Sequence, residues 1–517
     1  MTQKHQNAAK ADYQRLRNLS CAQLWSDEVP AFDRANPRER MQRVSVVRAV
    51  GVVFSESGTA EEKSAARHWL RQLLHDPEEK IRRYAMTALP KIGADDVEEN
   101  TLLDLLEKTG SSRERKALGQ TLAKIGGEAT LDRIRHSKSP EIHRTIQKVE
   151  GTLARLQNPS VIRMDQTLDD IRKIRIHLRC KSGLEEMIAE ELKSRFPGGG
   201  RFRIIRSEPG LVAVDPLGPF QIDDLFSIRS FATAAIVLGT ADSPENEADA
   251  LATIIASGHA QRVFQAFTDG PIRYRLEFPA RGHQRALIRS ITNRVFELCP
   301  AVINDSRSAP WQIAVYQRGR RIWAELSPRL RPDPRFSYRL DDVPAASHPP
   351  LAAAMAFLAG PLDGATVWDP FCGSGLELVE AGLRGGASQI IGTDRSEDAV
   401  RIASANFESA LRGSIPSHFE MCDFRDYSDV EGLREGGVSV IISNPPMGRR
   451  IKIPDLRGLI ADFFEIAAEA LAPSGCLVFA NPLPMKPLDR RLILDYRHRV
   501  DLGGFDVHLE KYTKAED

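Results

Sequence analysis

A chain of 517 residues is too long for a single hydrophobic core, and length alone suggests three or four domains. Its 42% hydrophobic and 27% charged residues are those of a globular protein in water, and no run approaches the ~18 uninterrupted apolar residues of a membrane span. The net charge of +1 advertises no nucleic acid, and six scattered cysteines without CxxC or Cys/His spacing argue against a disulfide framework or a zinc site, so no metal is expected. The first twenty residues hold neither an apolar stretch nor a small-residue cleavage site, which predicts a cytoplasmic protein without a secretory signal or membrane contact.

Residues 1–36 read as an N-terminal extension, and 37–160 read as helix after helix without strand-like alternation. Leu89, Lys91, Ile92 and Gly93 recur as Leu122, Lys124, Ile125 and Gly126, an offset of 33 residues (89 to 122). Self-similarity at this period marks stacked helical pairs that bury their faces only against neighbours. The pattern resembles HEAT repeats of a short period, which implies a contact surface, possible for a protein partner, or a prop for the rest of the chain.

From Ile171 the texture changes to α+β. A strand over 173–180, a helix over 183–193, a strand pair at 201–206 and 211–214, and a helix from Asp223 outline a ferredoxin-like domain over 170–240. A second α+β unit follows at 241–330, with a helix near 248–255, a strand at 272–278, a basic helix over 284–297, and strands at 312–317 and 321–326. Arginines concentrate here. Arg281, Arg285, Arg289 and Arg294 form one cluster, with Arg285 and Arg289 four apart on one helix face. Arg318, Arg320, Arg321, Arg329, Arg331, Arg335 and Arg339 form another, facing only Glu325 and Asp333 and interleaved with Tyr316, Trp323, Phe336 and Tyr338. Either could be a solvated face; together they predict phosphate-backbone contacts, with Arg281, Arg285, Arg289, Arg318, Arg320 and Arg321 foremost.

The proline-rich segment 331–350 reads as a linker. From 351 to 517 strands and helices alternate, which predicts a parallel, doubly wound α/β sheet. Residues 365–380 are the most informative: an apolar strand ends at Asp369, Phe371 follows, and Gly373 and Gly375 turn the chain into a helix where a Cβ would block a ligand. A second strand ends in Asp394, 25 residues on (369 to 394), where an acid can bridge the ribose hydroxyls of an adenosyl group. A third ends near Asp423, where an adenine amine would lie. A fourth buried strand runs into Asn444-Pro445-Pro446. An exocyclic amine conjugated to a base is planar, with its lone pair delocalised into the ring. The Asn444 side-chain oxygen and the Pro445 carbonyl can each accept one N–H bond and localise that lone pair, while both prolines stiffen the turn.

Asp369-Pro-Phe-Cys-Gly-Ser-Gly375 with Asn444-Pro-Pro446 resembles the class I methyltransferases of the THUMP-domain RNA guanine-N2 family. The likeness extends upstream through Cys180-Lys-Ser-Gly-Leu-Glu185, Tyr274–Arg294 and Ala346–Met355, so it covers about 170–517. It implies a Rossmann-like domain using S-adenosyl-L-methionine, held by Asp369, Phe371, Gly373, Gly375, Asp394, Asp423 and Asn444. Catalysis would fall to Asn444, Pro445 and Pro446, and a THUMP-like unit at 241–330 would grip structured RNA, tRNA in particular. A monomer forming N2-methylguanosine is the expectation. Ribosomal RNA guanine-N2 or adenine-N6 methylation, or a non-catalytic RNA-binding scaffold with a degenerate domain, are the alternatives. Three positions depart from the family pattern: Met447 stands where an aromatic usually follows Asn-Pro-Pro, Pro350 where a threonine or serine precedes Leu-Ala-Ala-Ala, and Leu376-Glu377 for the usual Thr-Ile.

Overall fold

The computed structural model describes residues 3–137, 140–198, 200–242, 245–282, 284–330, 332–344, 346–448 and 453–516. Arg331 and His283, both in the arginine clusters, lie outside them. The chain divides into two compact units, 1–159 and 160–517. No helix among the described residues is long and apolar enough to cross a membrane.

The first unit is helical. After a segment whose Leu16, Leu24 and Phe32 are fully buried, helices α1 (Ser45–Ser57), α2 (Ala60–Leu73), α3 (Glu79–Ile92), α4 (Asp96–Lys108), α5 (Ser112–Ile125), α6 (Glu128–Ile134) and α7 (Pro140–Gln157) follow. Helices α1, α3, α5 and α7 pack in succession as one layer, and α2, α4 and α6 back them. Local sequence starts α2, α4 and α5: Thr59 with Glu62, and Asp95 with Glu98, close reciprocal capping boxes, and the Ser111 hydroxyl accepts from Glu114 N. The 33-residue repeat is legible in the packing. Thr121 Oγ1 donates to Met86 O at 3.1 Å, and Thr145 Oγ1 to Gly119 O at 3.0 Å, so one buried hydroxyl ties α5 to α3 and another ties α7 to α5. The segment 1–36, read as an N-terminal extension, contributes Leu16, Cys21, Leu24, Val29 and Phe32 to this core.

The second unit holds two large sheets. Strands β1 (Ile176–Arg179), β2 (Phe202–Glu208), β3 (Leu211–Pro216), β4 (Thr233–Asp242), β5 (Ile272–Glu277), β6 (Val302–Asn304), β7 (Trp311–Arg318) and β8 (Arg321–Pro328) form one sheet, in the order β6-β5-β7-β8-β4-β1-β3-β2. The segments separated at residue 240 share this sheet, because β4 pairs antiparallel with both β1 and β8. Helix α8 (Glu185–Arg195) and the basic helix α9 (Arg285–Leu298) pack against it through Ile188, Leu192, Ile291 and Val295. Strand β1 is shorter than the alternation suggested and buried on both faces, with His177 enclosed. Missed in the sequence were β6, which pairs parallel with β5, and a helix over Gly258–Phe267.

The segment read as a linker is docked. Arg335 is buried with its Nη1 on the carbonyls of Ile228 (3.1 Å) and Phe231 (3.0 Å), and its guanidinium stacks over Phe231 at 4.0 Å. Phe336 and Tyr338 are buried beside it. The Tyr338 hydroxyl and Arg229 both bond the buried Glu380 carboxylate, at 2.6 Å each, which fastens the two sheets' layers together.

The other sheet and its flanking helices comprise α10 (Pro349–Ala359), β9 (Thr366–Asp369), α11 (Leu376–Arg384), β10 (Gln389–Asp394), α12 (Glu397–Leu411), β11 (Ser417–Met421), β12 (Val438–Ser443), α13 (Leu456–Ala470), β13 (Leu471–Asn481), β14 (Leu492–Asp501) and β15 (Asp506–Lys514). Its order is β11-β10-β9-β12-β13-β15-β14. The first five strands are parallel as expected; β15 pairs antiparallel with both β13 and β14, so it alone runs against the rest and β14 points with the parallel strands. The reason is connectivity: only residues 502–505 join β14 to β15, so these two can only form a hairpin, and that hairpin sets β15 between β13 and β14. From β9, the chain fills one side with β10 and β11 and the other with β12 and β13. The crevice beyond the carboxyl ends of β9 and β12 is therefore a topological switch point, where such sheets bind ligands.

Candidate active site

Asp369 closes β9 and is fully buried. Its Oδ1 accepts from Phe371 N at 3.0 Å and from Ser443 Oγ, at the end of neighbouring β12, at 2.6 Å. Its Oδ2 is buried and has no partner. Burial, with Glu377 nearby, holds the Asp369 carboxyl well above the usual range. Beyond it, Gly373 sits at φ +51° and Gly375 at φ +79°. A Cβ on Gly375 would lie 3.0 Å from Ala403 Cα in α12, so this position demands glycine twice, for its conformation and for helix packing. Buried Asn406, also on α12, donates to Ser374 O at 2.9 Å and accepts from Leu340 N at 2.8 Å, pinning the glycine loop to the docked segment.

Asp394 ends β10 half-exposed. Its two oxygens accept from Gly373 N and Ser396 N, each at 3.0 Å, which leaves further lone pairs open. Asp423 is more occupied: it caps the turn Phe424–Asp429 through Arg425 N, pairs with Arg425 at 3.1 Å and with Arg395 at 3.6 Å. Phe371 packs against Phe424 and Phe463, with ring centroids 5.0 and 5.5 Å away. Cys372 is buried, and burial among Asp369, Asp394 and Glu377 raises its thiol well above the ordinary value, so it stays protonated and is no nucleophile.

Asn444 follows β12 directly. Its Nδ2 donates to Ser347 Oγ at 2.6 Å, and Ser347 in turn bonds buried Glu377 on α11. Ser347 has one proton. Given to an ionised Glu377, it leaves the serine lone pairs for the Asn444 amide N–H, which fixes the amide with Oδ1 facing away. That Oδ1 is buried and has no partner. The Pro445 side chain is buried beneath the turn, and Met447 packs at the edge of the apolar core. Burial raises the Glu377 carboxyl, opposed by the Ser347 bond. His348, next to Ser347, is pushed down to about 4 by burial and by Lys181, Arg339 and Arg335, so it is neutral near pH 7 and supplies no titrating base there.

Sequence reading missed Ser347, Asn406 and Ser443. Ser347 supplies the hydroxyl that Pro350 cannot, three residues upstream of the position where one was sought. The pairing of Glu377 with it could have been suspected only from two carboxylates, Glu377 and Glu380, one turn apart in an otherwise apolar helix.

The arginines separate on inspection. Arg281 is spent on Glu247 (2.6 Å) and Gln317, Arg318 on Glu208 (3.0 Å), and Arg321 on Asp242 (2.6 Å). Trp323 and Tyr316 stack on each other, with Arg179 over Tyr316 at 3.6 Å. Arg285, Arg289 and Arg320 are exposed, and no acid among the described residues pairs with them. Arg335 is buried in the fold rather than offered to a partner.

Residues 337–489 match the family model for an RMKL-like methyltransferase domain. A tRNA (guanine(10)-N2)-dimethyltransferase of Methanothermobacter thermautotrophicus is 29% identical over 205 residues, which is 39% of this chain and 54% of that protein. Its namesake from Methanocaldococcus jannaschii is 29% identical over 173 residues, 33% of this chain and 47% of its own length. The chain thus spans about half the length of these curated relatives. The crystal structure of TrmN from Thermus thermophilus superimposes with a TM-score of 0.50 at 21% identity, covering 66% of this chain and 99% of that one; this likeness concerns the fold.

Proposed function

We propose that this protein is an S-adenosylmethionine-dependent RNA methyltransferase that forms N2-methylguanosine in tRNA. The reading rests on the Asn444 amide oxygen, buried without a partner at the end of β12, with its nitrogen side anchored on Ser347. A buried acceptor left open costs about 1–3 kcal/mol, a cost that an incoming N–H donor recovers. The crevice suits the cofactor for a similar reason: Asp369 Oδ2 is a second buried orphan, and the loop through Gly373 and Gly375 carries no side chain at its tightest points. Asp369, Phe371, Gly373, Gly375, Asp394 and Asp423 would hold S-adenosylmethionine, which supplies an electrophilic sulfonium methyl group.

The chain's own work is to present the amine. Asn444 Oδ1 and the Pro445 carbonyl accept its two N–H bonds and draw the nitrogen lone pair out of the ring, and Pro446 stiffens the turn that holds them. No strong base is required, because the amine proton becomes acidic once the methyl is attached. Met447 offers the base a polarisable apolar contact in place of an aromatic ring. The sheet unit over 170–330, in the manner of THUMP-containing proteins, and the HEAT-like helices would grip the RNA body, with Arg285, Arg289 and Arg320 as free cations. The target nucleotide would reach the crevice unstacked or flipped.

Incubating unmodified tRNA with the protein and S-adenosylmethionine, then measuring nucleosides by mass spectrometry, tests the proposal. N2-methylguanosine should form, and Asn444→Ala should slow its formation by about 10²–10³. N6-methyladenosine, activity on ribosomal RNA alone, or no transfer would each refute it.

A further inference from the structure

The helical unit carries a depression of about 430 Å³ for which methyl transfer has no use. Its floor is made small by Ala88 and Ala117, and five cations line it: Arg48 from α1, Arg83 and Lys91 from α3, and Arg113 and Lys116 from α5. No acid lines it. Arg83 shares Glu79 one turn away at 3.0 Å; the other four have no ion-pair partner among the described residues. Arg48 lies over the Tyr13 ring at 4.0 Å, which fixes its guanidinium without neutralising it. Arg83 and Lys116 stand 33 residues apart, the repeat period, so the repeat itself places a cation at one position on successive helices.

Crowding of like charges has a measurable sign here. Burial, and then the charges of Arg48 and Lys124, lower the Lys91 ammonium below its ordinary value. An anion entering the depression relieves that repulsion. Neighbouring helix axes lie ~8–10 Å apart, so the three helices present cations as a strip rather than a point.

We propose that this depression binds phosphates of an RNA backbone, forming a second RNA contact in the helical unit; the proposal rests on the RNA-methyltransferase reading. Guanidinium forks match phosphate oxygens, and half-buried Tyr84 on the lining offers a ring face to a sugar or an unstacked base. An acidic protein surface would satisfy the charge but would leave that ring unused.

The test is equilibrium binding of tRNA to the full chain at several salt concentrations. Wild type is compared with the triple variant Arg48→Glu, Arg113→Glu, Lys116→Glu, and with a milder Arg113→Gln, Lys116→Gln pair. The triple variant should bind at least about tenfold more weakly, and the slope of log K against log salt should shrink by about two to three, about one per lost phosphate contact. The milder pair should fall between, and cofactor binding by calorimetry should stay unchanged in both. Unaltered affinity and slope in both variants would overturn the pocket while leaving the methyltransferase reading in place. Absence of salt-dependent tRNA binding by wild type would refute the RNA reading and the pocket with it. Polyglutamate of matched charge displacing tRNA as well as RNA does would overturn phosphate recognition in favour of an acidic protein.

Discussion

The crevice of the seven-stranded sheet and the basic face of the helical unit both hold polar groups without partners, but the groups differ in kind. In the crevice they are two buried oxygens, Asp369 Oδ2 and Asn444 Oδ1. On the helical face they are cations, most of them exposed, at positions 48, 91, 113 and 116. A buried oxygen without a hydrogen bond is expensive and directional, so it specifies one partner at one place. An exposed cation costs little, acts over ~8–10 Å through salt water, and specifies only sign. The first arrangement is suited to chemistry and the second to capture.

That contrast sets what each kind of substitution should do. Asn444→Ala should lower kcat by about 10²–10³, the loss seen when one preorganised polar group is removed, with cofactor affinity within about threefold by the same logic. If it also altered the salt dependence of RNA binding, the division between chemistry and capture would break. Asp394→Ala should weaken S-adenosylmethionine by about 10- to 100-fold in calorimetry, as loss of a charged hydrogen bond worth about 1.5–3 kcal/mol requires.

Ser347→Ala should lower kcat by roughly fivefold with KM little changed, because only the amide's orientation is lost, a bond worth about 1 kcal/mol. Ser347→Thr should recover activity; equal activity of Ser347→Ala and wild type would show the amide is oriented elsewhere. Reversing Arg285 and Arg289 to Glu should weaken tRNA binding several-fold and reduce the salt slope by about two. No change in slope would return them to a solvated face.

The smallest effect is in stability. Burial raises the Glu377 carboxyl in the fold above its ordinary 4.5. The folded state therefore holds that proton more tightly than the unfolded chain, and stability falls as pH climbs from about 4.5 through the raised value. Glu377→Gln should remove part of that fall and raise Tm at pH 7 by a few degrees, about 2–4 °C per kcal/mol for a large domain, while slowing turnover through Ser347. A lower Tm would mean the charge is better solvated than its burial implies.

Much of this was readable in advance, and the failures have physical causes. The glycine loop, the acids ending β9 and β10, and Asn-Pro-Pro were legible because each is local: a strand, a turn and the first residue beyond it. Ser347 was not, since it stands 97 residues from Asn444 and nothing local marks it. The arginine clusters misled in the opposite direction. Composition counts Arg318, Arg321 and Arg335 as available, yet Glu208, Asp242 and the carbonyls of residues 228 and 231 take them, and those partners come from distant strands and turns. The same blindness made 331–350 look like a linker, because prolines announce extension but not what Phe336 and Tyr338 will pack against. The reversed β15 was missed because an amphipathic strand reads alike in either direction.

One small contact joins distant parts of the second unit. A Cβ on Gly183, at φ +102°, would lie 2.0 Å from Arg499 O. Beside it Ser182 O accepts from Asp501 N at 2.9 Å, and Lys181 Nζ reaches Leu502 O across 321 residues of chain. Closing so long a loop is slow relative to local pairing. The early strands must therefore wait, with this turn unclasped, until the β14–β15 hairpin arrives. During synthesis that interval is the window in which a chaperone or a protease would find the chain open, and Gly183→Ala should lengthen it even where the finished protein still folds.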